Sequence, residues 1–139
     1  MPVVGFTFTK FHAEKKRSPE GKLKINYNLS IKEVEKKELS FGTQKHQGVR
    51  FGMELSVSYL DDKDTDVGSL LTAGDVMFVE EEAAIKDILD AWKKGKKIDK
   101  EIMKQIFNAS QNRSSIQAIV LSKDIGLAPP IQLPSVQFS

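Results

Sequence analysis

The chain has 139 residues, with 21 Lys and Arg against 19 Asp and Glu for a net charge of +2, and no cysteine. This length supports a single domain, residues 1–139, able to bury about two thirds of its unfolded surface without covalent staples. Lack of cysteine excludes a disulfide framework, thiolate-held zinc, iron–sulfur clusters and thiol catalysis, and it suits a reducing cytoplasm.

The balanced charge, with Arg17, Arg50 and Arg113 as the only guanidinium groups, argues against nucleic acid as a partner. No apolar run approaches the roughly 20 residues of a membrane span. Met1–Lys10 alternates apolar residues with Thr instead of forming a signal-peptide block. A cytoplasmic protein without membrane insertion is expected.

From Val4 to Glu14 the apolar positions alternate at Phe6 and Phe8, then change phase to Phe11 and Ala13, as an inserted bulge residue would make them do. Lys15–Gly21 reads as a solvated turn. Leu23, Ile25, Tyr27, Leu29 and Ile31 then alternate with Lys, Asn and Ser, which predicts a second strand with one wet face. Glu33–Gln47 is charged and then rich in Gly and Gln, with Phe41 its one aromatic residue, and is expected to hold a strand end and a loop. The clearest strand comes next, with Val49, Phe51, Met53, Leu55, Val57 and Tyr59 on one face. Asp61–Asp66 closes it as a turn. A fourth strand, Ser69 to Val79, is expected to break at Gly74 in a bulge.

The period then changes from two to 3.6. Glu80-Glu81-Glu82 places acid at a helix start, Ile85, Ile88, Leu89 and Trp92 form a stripe, and Lys93–Lys97 with Gly95 closes the helix. A second helix opens at the N-cap candidate Asp99 with Ile102, Met103, Ile106 and Phe107 inward. Its polar stretch Asn108–Ser115 is expected to kink or fray before the helix resumes at Ile116, Ile119 and Val120. The chain ends in an extended, apolar, proline-broken tail, residues 126–139. Strands at about 4–79 and then helices at about 80–125 predict an α+β fold, a four-stranded antiparallel sheet with both helices packed on one face.

Catalytic and metal motifs are sparse. Asp62-x-Asp64-x-Asp66 has the opening spacing of a calcium loop, but Val67 and Ala73 stand where the loop needs Gly and Glu. His12 and His46 lack a motif that would complete a catalytic set, and there is no G-x-S-x-G, H-E-x-x-H, P-loop or G-x-G-x-x-G. No enzyme activity, cofactor or metal is therefore expected. Glu80–Glu82 and Lys93–Lys97 are explained by helix-dipole compensation. Asn108-Ala109-Ser110 would matter as a glycosylation acceptor only in a secreted protein. The aromatic residues are in surplus, because two helices cover only part of a four-stranded apolar face and the remainder must be met by the tail, another subunit or a bound partner.

Two stretches resemble the SecB export-chaperone family. Ala73-Gly74-Asp75-Val76-Met77-Phe78-Val79 is similar to that family's fourth strand, and Gly126, Pro129-Pro130, Leu133, Pro134, Val136 and Phe138 are similar to its segment after the last helix. The resemblance implies a holdase for unfolded polypeptides, assembled as a homotetramer and linked to protein export. It also implies docking of the export motor through acidic residues of the outer sheet face, where this chain carries Lys22, Lys24, Asn26, Asn28 and Lys32. Phe8, Phe11, Phe41, Tyr59 and Phe107 are the expected groove residues. A small-ligand protein or acyl-thioester enzyme on a helix-covered sheet is the alternative.

Overall fold

A computed structural model of the chain describes residues 3–130, the side chain of Phe41 excepted. Strands β1 (Val3–Lys15), β2 (Lys24–Phe41), β3 (Gln44–Leu60) and β4 (Asp66–Val79) are succeeded by helices α1 (Glu82–Lys93) and α2 (Lys100–Asp124). The strands form one antiparallel sheet in the order β1-β4-β3-β2. Both helices lie on one face, so the α+β architecture expected from the period change is the one observed.

β3 is the centre of the core. Its alternation sends Val49, Phe51, Met53, Leu55, Val57 and Tyr59 to the helix side, where each is 0–2% exposed. Two clusters form along it. One joins Phe51, Met53, Val76 and Phe78 to Ile85 and Ile88 of α1 and Ile106 of α2. The other joins Leu55, Val57, Tyr59 and Leu70 to Ala118 and to Leu127 beyond the helix.

The structure corrects the expected loop at Glu33–Gln47. From Glu33 onward β2 and β3 pair in regular register to Phe41↔Gln44, closed by Gly42-Thr43 with Gly42 at φ 64°. The acidic residues of that stretch, which resemble a loop in sequence, form cross-strand ion pairs: Arg50 reaches Glu33 at 2.6 Å and Glu35 at 2.7 Å, and Lys45 reaches Glu38 at 3.6 Å. A bulge between Ile31 and Glu33 shifts the phase there and hides the continuing alternation.

Gly74 is not a bulge either. It pairs in register with Phe8 on one side and Met53 on the other. A Cβ at Gly74 would lie 2.5 Å from the Phe6 ring and 2.8 Å from the Thr7 carbonyl oxygen, so the glycine makes room for β1. The extra residue is in β1 itself, between Phe8 and Lys10, where the phase change predicted it.

α1 has Glu82 in its first turn, Lys93 in its last and Gly95 beyond at φ 67°, as expected. Asp99 caps α2, its carboxylate accepting from the Glu101 amide at 3.4 Å. The helix does not fray at Asn108–Ser115: α2 is continuous over its 25 residues. Ile106, Ser110, Ser114, Ala118 and Ser122 recur every fourth residue and are its buried line. Small side chains there let the helix lie close to the sheet. The apolar residues that resume the pattern instead face outward, with Ile116 at 66%, Ile119 at 40% and Val120 at 45% exposure. After α2 the chain runs on without helix or strand through Pro130, as the prolines require; Ile131–Ser139, the rest of the expected tail, lie outside the described residues.

Candidate polypeptide-binding surface

Phe6 and Phe8 fall on the helix side of β1 because alternate residues share a face, and the inserted residue before Lys10 rephases the strand so that Phe11 joins them. The three rings form a ladder. Phe6 and Phe8 are edge-to-face with centroids 4.9 Å apart, and Phe8 and Phe11 are tilted at the same separation. Phe6 and Phe8 are half-buried, whereas Phe11 is 47% exposed.

Arg113 of α2 covers the buried end of the ladder. Its guanidinium lies 5.5 Å from the Phe6 centroid and 5.2 Å from that of Phe8, and Nη1 donates to the Phe6 carbonyl oxygen at 3.0 Å. Such a cation over an aromatic face contributes about 0.5–1 kcal/mol where water reaches it. Arg113 also leaves a positive charge next to an apolar surface. β1 is an edge strand, and its segment Val3–Thr9 carries no charged side chain, so apolar rings and an open strand edge occur together.

Of the expected groove residues, Phe8 and Phe11 are brought together here. Tyr59 is elsewhere: it is fully buried, and its hydroxyl donates to the Ala128 carbonyl at 2.6 Å. Burial pushes its phenol up to about 12. Phe107 is half-buried against the first core cluster, and the Phe41 side chain is outside the described residues. Phe6 and Arg113 are the additions. Phe6 was visible as a strand aromatic, but no sequence signal joins Arg113 to a strand 107 residues away.

Two other charged groups hold the fold. Arg50, 18% exposed in its side chain, is held among Glu33, Glu35 and Asp75 on the opposite sheet face. Its guanidinium keeps the Glu35 carboxyl below the usual range. In the Asp61–Asp66 turn, the Asp61 carboxylate accepts from the amides of Lys63 and Thr65, while Asp64 and Asp66 pair with Lys24 and Lys16. Among the described residues no group of three His, Cys, Asp or Glu is placed to hold a metal ion. No helix among them is long and apolar enough to cross a membrane.

No protein-family model and no curated protein matches the sequence. Among solved structures, the chain is similar to the Mycobacterium tuberculosis SecB-like chaperone Rv1957 in complex with a ChAD peptide from the Rv1956 HigA1 antitoxin. The TM-score is 0.63 at 11% identity, over 98% of this chain and 91% of that one. At that identity the likeness establishes the architecture: the fold is SecB-like.

Proposed function

We propose that the chain is a holdase that binds unfolded polypeptides on the Phe6–Phe8–Phe11 ladder, with Arg113 at one end of the site. The observation that carries this reading is a row of aromatic rings, one of them 47% exposed, on an edge strand whose first half, Val3–Thr9, has no charged side chain. Apolar surface of this kind in a soluble domain marks an interaction site. The structural neighbour, a SecB-like chaperone bound to a peptide, supports the same reading. Binding on rings and strand edge needs no nucleotide, metal or catalytic group, which fits a non-enzymatic role.

Self-assembly into a homo-oligomer, in the cytoplasm, belongs to the same proposal. Its support is the exposed apolar set Ile116, Ile119, Val120 and Trp92 on the helix layer. Suppression of aggregation of a chemically denatured client, measured by light scattering, tests the function. The wild-type chain is expected to hold the client soluble, and Phe11→Asp to weaken this several-fold. Equal protection by both would remove the ladder from the site, and no protection by either would end the chaperone reading.

A further inference from the structure

Arg50 and Arg113 are both arginines at the sheet, and their surroundings differ. Arg50 is held by the carboxylates of Glu33, Glu35 and Asp75. Arg113 is exposed and makes no ion pair among the described residues. The elements around it supply no carboxylate. On α2 it is the only charged residue between Lys104 and Lys123, and on β1 the segment Val3–Thr9 has no charged side chain. On β4, the register partners of the ladder are Val76, Gly74 and Thr72, while Asp75 lies on the other sheet face with Arg50.

This cation is also held in place. Nη1 donates to the Phe6 carbonyl at 3.0 Å and the guanidinium lies over two rings, so its position is set before any ligand arrives. Its other N–H groups donate to no other described residue, and a guanidinium fork matches a carboxylate. From the charge to the exposed ring takes two steps, 5.2 Å to the Phe8 centroid and 4.9 Å on to Phe11. In an extended polypeptide, side chains two residues apart share a face and stand about 6.6 Å from each other. A carboxylate on Arg113 therefore brings the side chain two residues away over Phe8 and Phe11. An apolar segment lacking that carboxylate would take water from the guanidinium and return no partner, and a lysine there would be repelled.

We infer that the ladder selects one class of client: extended polypeptide segments in which an Asp or Glu stands two residues from a large apolar side chain, its carboxylate paired with Arg113. The inference rests on the proposed client site and deepens it by naming what that site prefers. The rings supply apolar contact common to all clients, and Arg113 determines the specificity.

Three fluorescent peptides with amidated C-termini test it, identical in their Leu and Phe residues and carrying Glu, Gln or Lys two positions from one Leu. Fluorescence anisotropy with the full chain is expected to give the tightest Kd for the Glu peptide, about tenfold below the Gln peptide, and the weakest for the Lys peptide. The gap between Glu and Gln should narrow as salt is raised. It should collapse in Arg113→Gln and persist in part in Arg113→Lys. Equal binding of the three peptides by the wild-type chain would overturn the inference and leave the client site standing, as would a Glu preference that survives Arg113→Gln. Absence of binding by all three would remove the client site and this selectivity with it.

Discussion

β3 and β2 lie side by side and both alternate apolar with polar residues, yet their helix-side faces end in different environments. Val49, Phe51, Met53, Leu55, Val57 and Tyr59 on β3 are 0–2% exposed, whereas on β2 Ile25 is 37% exposed and Tyr27, Leu29, Ile31 and Val34 are half-buried. The difference comes from position in the sheet. β3 is flanked by β4 and β2 and lies under both helices; β2 is an edge strand that meets α1 near one end and α2 through the 2.7 Å hydrogen bond between Tyr27 and Ser115. β1, the other edge, shows the same incompleteness, and there the uncovered side chains are aromatic. Alternation decides which residues share a face, and the covering layer decides how much water they lose.

Substitutions should separate these regions by size of effect. Phe51→Ala in the buried row should cost about 3–5 kcal/mol in denaturant unfolding, whereas Ile25→Ala should cost about 1 kcal/mol or less. Costs of similar size would mean that β2 is as well covered as β3.

Tyr59→Phe should cost about 1 kcal/mol through loss of the bond to Ala128. Its pH dependence has a definite sign. The folded phenol titrates near 12, above the ordinary value of 10, so the folded state holds the proton more tightly. The stability this provides is complete below pH 10 and is lost as pH rises from 10 to 12. Unfolding midpoints in that window should fall less for Tyr59→Phe than for the wild type, and parallel curves would contradict the burial of the hydroxyl.

On the outer face, Arg50→Met should lower stability slightly at low salt, with the deficit shrinking as salt is raised, because exposed carboxylates repel one another without the bridging guanidinium. Smallest of all should be the effect of Phe11→Asp on stability, since the ring is 47% exposed. That variant distinguishes a binding residue from a packing residue: its unfolding midpoint should stay close to wild type while client protection falls.

Much of the fold could be read from residue types. The β3 alternation, the phase change from Phe8 to Phe11, the Asp99 cap and the period change after Val79 are local signals, and each became the element it indicated. Glu33–Gln47 misled because charge that looks like solvated loop is paired across two strands. Asn108–Ser115 misled because a helix lying close to a sheet buries Ser110 and Ser114 in place of larger residues. The ladder was half legible: the strand pattern places Phe8 and Phe11, but Arg113 joins them only after α2 has crossed the sheet.

The most direct test is an NMR titration of the isotope-labelled chain with a permanently unfolded polypeptide. The proposal predicts progressive shifts at Phe6, Phe8, Phe11 and the Arg113 guanidinium, with the buried β3 row from Val49 to Val57 unmoved. Shifts confined to other surfaces, or no shift at saturating polypeptide, would contradict it.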